Sequence, residues 1–540
     1  MSEERTPDGR AAFVRATGVM SVGTALSRIT GFLRLAAMAF ALGITESRLP
    51  DAYNIANITP NIIYELALGG ILTSVVVPVL VEWMQTRGDD AAREVARRML
   101  TLAIVGLTAI AAAAIVLAPW IVRLYTVRVG ADAEATRELA TFFLRWFMPQ
   151  IVFYGVGAIV GGLLNAHRRF AAPMFAPIAN NLIVIATFVA FALMPGPAAG
   201  SGLLATRAQE LVLAIGTTLG VVGMTVALWP SLRSLGFRFA WRFGADDAIR
   251  RIARLAGWVF LYVVVNQVSY VIVLVLAAGR QGGYTAYASA FMLFQLPHAI
   301  FAVSIFTALL PSLSGRWAAG DQAAFRELLA RGLRATGAIV LPAAAGYVVL
   351  ARPIVRVLLE HGVAGAASGD LVASILTAFA IGLLPFSMFQ LLLRAFYATQ
   401  DTRTPALVNV GAAAVNVGAN LFLFFVLDLG VPGLALGHAL SYVFASSVLY
   451  ALLRRRVGAL PAGSVGPALG RSAVAAGATA LVAWAVARAL AGVVDLATLG
   501  GQVTQLGLAV GAGVATFVGA AIVLRIDEVR SALGALRGRG

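Results

Sequence analysis

The sequence predicts an all-α integral membrane protein of about fourteen transmembrane helices: two six-helix lobes related by a parallel repeat, plus two C-terminal helices. Three observations predict it. The 540 residues are 60% hydrophobic and 12% charged, with a mean hydropathy of +0.87, against roughly 45–50% and about 25% for a soluble domain. Apolar runs of about twenty residues, the length a helix needs to cross ~30 Å of hydrocarbon, recur along the whole chain. Arginines collect between the runs with an alternating bias.

The first run, 16–43, is too long and too polar in its middle for the apolar region of a signal peptide, so it is expected to stay as a helix. The second, 52–81, opens after Asp51 and carries Pro60. Runs at 99–121, 140–164, 172–194 and 209–230 follow, each set off by arginine, glycine or proline. The stretch 231–254 is mainly basic, with Asp246-Asp247 its only acidic pair. Beyond it lie 255–279, 285–313, 332–350, 370–397, 404–427 and 432–453, the last closed by Arg454-Arg455-Arg456. Two more runs, 468–491 and 502–524, end the series. The expected organisation is an N-terminal lobe over 1–230, a cytoplasmic linker over 231–254, a C-terminal lobe over 255–456, and two extra helices with a tail over 457–540.

The formal charge of +16 and the pI near 11 would suit nucleic acid in a soluble chain. Here all 41 basic residues are arginine, and with the N-terminus inside, 28 fall in inside segments and nine in outside loops. That bias follows the positive-inside rule for an even number of spans. Both termini are expected in the cytoplasm, and no nucleic-acid partner is expected. Of the four remaining arginines, Arg145 and Arg394 lie near span ends, where long side chains snorkel to the interface. Arg28 and Arg34 sit in the middle of the first run, where a charge costs at least ~2.5–3.5 kcal/mol.

Missing residues exclude several chemistries. Without lysine there is no phosphate-binding loop of the Walker type, and without cysteine no disulfide, thiol catalysis or thiolate zinc site. The four histidines share no metal-ligand spacing, and no G-x-S-x-G occurs. No enzyme activity and no cofactor are expected.

A weak repeat crosses the basic stretch. Leu163-Leu164-Asn165-Ala166 resembles Leu392-Leu393-Arg394-Ala395, and each precedes a Pro-x-x-x-Asn: Pro177 to Asn181 and Pro405 to Asn409. The second span begins Ala52-Tyr53 and leaves through Val77-Pro78-Val79; the eighth begins Ala286-Tyr287 and leaves through Leu310-Pro311-Ser312. Matching spans are six apart, so the halves keep the same direction, as in transporters that rock one half against the other. Pro60, Pro149, Pro297 and Pro385 each free a carbonyl inside a span and permit a bend. Gly157-x-x-x-Gly161, Gly216-x-x-x-Gly220 and Gly507-x-x-x-Gly511 predict close helix packing.

The polar residues of the first two spans are the candidate site. Arg28 and Arg34 diverge by about 120° around one helix and ~9 Å along it, so they line a broad face. The second span adds Asp51 at its outer mouth and Asn54, Asn57, Asn61 and Glu65 inside; the three asparagines share one side. Two readings compete: an internal ion-pair network joining Arg28 or Arg34 to Glu65 or Asp51, and a hydrated basic cavity for an anion. Guanidinium groups suit phosphate through paired, charge-assisted bonds.

Ser27-Arg28-Ile29-x-Gly31-Phe32-x-Arg34, Asp51-Ala52-Tyr53, Pro60-Asn61 and Val77-Pro78-Val79 resemble the MurJ/MviN family. Phe291 to Pro297 and Leu310-Pro311-Ser312-Leu313-Ser314 continue the resemblance, which covers nearly the whole chain. It implies an alternating-access transporter that moves lipid II across the cytoplasmic membrane. Spans thirteen and fourteen would then form a groove for the lipid tail. It carries over Arg28, Arg34 and Asp51, and names an undecaprenyl-pyrophosphate sugar-peptide, membrane lipids and cell-wall synthesis proteins as partners. Two family arginines are absent: Asn61 is followed by Ile62-Ile63-Tyr64-Glu65, and Tyr287-Ala288 by Ser289-Ala290-Phe291.

The expected function is a lipid II flippase using Arg28, Arg34, Asp51, Asn61 and Glu65 to bind substrate. An exporter of another polyprenyl-linked saccharide is the nearest alternative. A drug antiporter would favour acidic residues for cationic substrates, against the arginine pair. A transferase acting on polyprenyl phosphates would need an acidic or histidine-rich loop, against the basic 231–254. For a coupling ion, Glu65, Asp370 and Asp428 are the candidate carboxylates.

Overall fold

A computed structural model describes residues 7–66, 77–130, 133–167, 169–197, 204–244, 247–461 and 463–537. Arg5, Arg168, Asp246, Arg539 and the middle of the second span lie outside the described residues, as do the side chains of Val77-Pro78-Val79.

Helix α1 (Pro7–Leu42) carries the first span, and α2 (Leu49–Tyr64) and α3 (Val77–Arg87) are the described ends of the second. Spans three to six are α4 (Asp89–Tyr125), the pair α5 (Ala133–Phe147) and α6 (Gln150–Ala166), α7 (Ala171–Ala192), and α8 (Arg207–Val226) with the short α9 (Trp229–Arg233). The seventh is α10 (Asp247–Ala278). The eighth is α11 (Gly283–Pro297) and α12 (Val303–Ala318), joined by a π-helical turn. Helix α13 (Gln322–Leu359) is the ninth, and α14 (Ala366–Ile381) with α15 (Leu383–Ala398) the tenth. Helices α16 (Arg403–Leu421), α17 (Gly430–Val457), α18 (Gly466–Ala491) and α19 (Leu499–Val523) complete the series, and α20 (Asp527–Arg537) follows. Among the described residues twelve helical runs are long and apolar enough to cross a membrane, thirteen when the bent α14–α15 pair counts as one. The expected second span runs through 67–76, outside the described residues.

Broken spans coincide with the prolines. Pro149 stands between α5 and α6, Pro297 ends α11 at the π-helical turn His298–Ala302, and Pro385 lies just past the 48° bend between α14 and α15. A proline nitrogen cannot donate to the carbonyl one turn back, so the ladder yields there.

The chain forms two compact units, Met1–Gly282 with Gly362–Ala364, and Gly283–His361 with Gly365–Gly540. Helix α10, expected at the start of the second lobe, packs on α4 and groups with the first unit. The repeat is visible in the packing. Spans two and four, three and four, and five and six pair in the first unit; eight and ten, nine and ten, and eleven and twelve pair in the second. Helices α18 and α19 pack on each other and on α13, along a seam of Ala338, Ala475 and Ala521 and a second of Leu350, Ala483, Ala487 and Ala509.

The glycine motifs separate by what faces them. A methyl group at Gly216 would overlap Thr187, and one at Gly220 would overlap Asn180, so α7 and α8 approach as closely as the motif predicts. Gly157 and Gly161 meet neighbours at 3.4 Å and 3.9 Å, ordinary contact. A methyl group at Gly507 or Gly511 would meet nothing within 4 Å; on that helix the close approach to α18 is at Gly513, where a methyl group would stand 3.3 Å from Ala483. Equal spacing in sequence does not say which helix face is covered.

Candidate functional site

Helix α1 carries both mid-span arginines on a framework held by α7. The Asn181 amide donates to the Ser27 carbonyl at 3.2 Å and to the Thr30 hydroxyl at 3.0 Å, and Thr30 in turn donates to Leu26 O at 2.9 Å. Buried Asn181 therefore fixes the turn on which Arg28 stands. Arg28 is exposed and Arg34 half-buried. Neither forms an ion pair among the described residues, so of the two competing readings the network joining them to Glu65 or Asp51 is not formed there.

A tyrosine pair joins α2 to α6: the ring centroid of Tyr154 lies 5.7 Å from that of Tyr64. Tyr53 is buried, with its hydroxyl 2.9 Å from Thr217 Oγ1 and its ring edge-on to Phe143, Phe147 and Phe188. Along α2, Asn54 donates to Met38 Sδ of α1 at 3.4 Å and Asn61 to the Asn57 carbonyl at 3.4 Å. All three asparagines are half-buried, on the less covered side of a helix whose other residues are mostly buried. Glu65 is exposed one turn beyond Asn61, beside Tyr64.

Asn61, Tyr64 and Glu65 stand together at the end of α2, where Tyr64 meets Tyr154 of α6, while Arg34 is supplied by α1. Guanidinium, amide and phenol groups together can hydrogen-bond the oxygens of an anionic headgroup. Sequence reasoning missed Tyr64, Tyr154 and the orienting role of Asn181. Their only signal is a polar group inside an apolar run, and that does not tell which helix it meets.

Asp51 belongs elsewhere. It is 1% exposed. Its carboxylate accepts the Gly282 N–H at 2.8 Å and lies 3.9 Å from Arg48 Nη1. Arg48, expected to be an outer-loop residue, is buried and donates to Ala278 O at 3.0 Å, while Gln281 donates to Thr45 O at 2.8 Å. Gly282 adopts φ +70°, and a side chain there would run into the Ile44–Thr45 backbone. Of the other candidate carboxylates, Asp370 pairs with Arg352 at 2.6 Å, and Arg352 also pairs with Glu360. Among the described residues, no three of His, Asp or Glu are grouped to hold a metal ion.

The family model for lipid II flippase MurJ matches residues 38–499. The chain is 29% identical over 449 residues to the lipid II flippase MurJ of Burkholderia cenocepacia, covering 82% of this chain and 84% of that protein. It is 28% identical over 450 residues to a probable lipid II flippase MurJ of Rhizobium meliloti, covering 82% and 81%. Among solved structures, an inward closed lipid II flippase MurJ superposes with a TM-score of 0.73 at 20% identity, over 94% of this chain and 98% of that one. An inward-facing multidrug resistance MATE family transporter gives 0.65 at 16% identity, over 80% and 95%. With a family match spanning most of its length and the helix order to go with it, the chain belongs to the MurJ family of lipid II flippases.

Proposed function

We propose that this protein flips lipid II from the inner to the outer leaflet of the cytoplasmic membrane by alternating access. The observation that carries the reading is the family match over 38–499. Mid-span Arg34 on α1, together with Asn61 and the Tyr64–Tyr154 pair, supports it with groups of suitable chemistry.

In this reading Arg34, Asn61 and Glu65 line the headgroup site, and Arg28 extends it along α1. The arginines hold the pyrophosphate, the tyrosines and Asn61 take the sugar hydroxyls, and the polyprenyl tail stays in lipid along α18 and α19. Asp51 acts as a positioning residue, through the α2 start that it fixes. Both termini lie in the cytoplasm in this reading, which the arginine bias supports. Proteins of cell-wall synthesis would deliver and consume the substrate.

Reconstituted vesicles test the reading. Labelled lipid II should become accessible from the far leaflet in the presence of the protein, and other polyprenyl-linked saccharides should move more slowly. Equal or faster movement of another saccharide favours the second reading, an exporter of that lipid, for which the two absent family arginines speak. Depletion in cells should trap lipid II on the inner leaflet; unchanged sidedness sinks the flippase reading.

A further inference from the structure

Directly after the sixth span, residues 237–243 read Phe-Arg-Phe-Ala-Trp-Arg-Phe. The segment belongs to no helix or strand. The ring of Phe239 lies edge-on to Trp241 at 5.1 Å, and that of Trp241 stacks on Phe243 at 6.4 Å. Rings two residues apart on one side require a near-extended chain. The three are 37%, 54% and 71% exposed, so the row is an apolar edge that no described residue covers.

The backbone beneath the row is tied down. Arg97 of α4 donates to Arg238 O at 2.9 Å, and Arg242 N–H donates to Thr101 Oγ1 at 3.0 Å. Arg242 Nε lies 3.3 Å from Glu94. Phe237 is buried, with the Arg97 guanidinium 5.6 Å from its ring. Upstream, Arg169 holds the Ser234 hydroxyl. The rings are therefore presented by a fixed edge.

We infer that this row is a bilayer-interface anchor, with Phe239, Trp241 and Phe243 seated among lipid headgroups and Arg233, Arg238 and Arg242 drawn to anionic lipids. Two observations select lipid as the occupant. Only residues 234–238, a turn and two residues outside any helix or strand, separate the row from the span that ends at Arg233. Trp229, 57% exposed, stands at the end of that span, so the row lies within reach of the interface, where aromatic rings concentrate. The stretch 229–244 holds three arginines and no acid, while α4 beside it balances Asp89, Asp90 and Glu94 against Arg93, Arg97 and Arg98. The surplus is positive, as an anionic membrane surface requires.

The chain has no cysteine, so Phe239→Cys, Ala240→Cys, Trp241→Cys and Phe243→Cys can each be spin-labelled without altering the background. Each variant leaves at least two of the three rings in place. In vesicles of phosphatidylethanolamine and phosphatidylglycerol, the ratio of oxygen to nickel-chelate accessibility should be several-fold higher at 239, 241 and 243 than at 240. In pure phosphatidylcholine the ratio at 241 and 243 should fall several-fold. A flat ratio at the value of water for all four positions overturns the anchor, as does depth indifferent to lipid charge. Both readouts are independent of lipid II movement, so failure here is distinct from failure of the flippase reading.

Discussion

Asp51 accepts the Gly282 N–H at 2.8 Å across 231 residues of chain, tying the start of α2 to the segment that follows α10. Since Arg48 is buried beside it, removing the carboxylate would strand the Gly282 N–H and take the counter-charge from a guanidinium that keeps its bond to Ala278 O. Asp51→Ala is expected to destabilise the protein by about 2–4 kcal/mol, and Asp51→Asn by less, because its amide oxygen can still accept. Thermal unfolding in detergent checks this. A direct substrate role would instead show full stability with lost transport.

Arg34 stands half-buried without an ion-pair partner among the described residues, which leaves its guanidinium available for a ligand. Arg34→Lys keeps the charge but loses the planar fork. Reconstituted transport should fall at least about tenfold, or ~1.4 kcal/mol, in Arg34→Lys, and further in Arg34→Ala. Retained melting temperature separates this from misfolding. Near-normal flipping by Arg34→Ala would remove Arg34 from the site.

Asp401, in the turn between α15 and α16, offers a pH test. Burial raises its carboxyl pKa, but the Thr404 N–H at 2.9 Å, the Thr404 hydroxyl at 2.8 Å and Arg456 at 2.6 Å outweigh burial and hold it below the usual range. The folded value is depressed, so this stabilisation is fully present above the unfolded pKa near ~3.9. It is lost as pH falls through the lower folded value. Asp401→Asn should melt lower at pH 7 and show a shallower loss of stability between about pH 4 and 2. An unchanged acid limb would mean that the three bonds do not hold in the membrane.

Gly220 and Gly507 should respond oppositely. Gly220→Val would push against Asn180 and Val184 and cost about 1–3 kcal/mol by overpacking. Gly507→Ala has open space and should stay within about 0.5 kcal/mol of the parent. Parallel melting curves of the two variants decide it.

The helices were legible because the bilayer imposes their length, and three of the breaks because a proline inside a span removes a donor, although Pro60, Pro119 and Pro342 lie inside helices that continue through them. Pro149, Pro297 and Pro385 all mark breaks for that local reason. Arg34 and Asn61 were legible as polar residues in apolar runs. Tyr154 was not, because its meaning comes from α2 lying against α6. Asp51 shows the same boundary from the other side. Its position in sequence suggests an open mouth, while its partner Gly282 is hundreds of residues away and no local pattern announces it. Gly507-x-x-x-Gly511 has the right spacing on the uncovered side of α19.

The alanine seams that join α13 to α18 and α19 have a mechanical consequence. A methyl group has no rotamers to rearrange, and close backbone approach leaves little compressible space between the helices. Force applied to α13 would therefore reach α18 and α19 with almost no slack, and the three helices would shift as a stiff plate. A bulkier, rotamer-rich seam would absorb part of that displacement; this one passes it on to whatever lies against the last two helices.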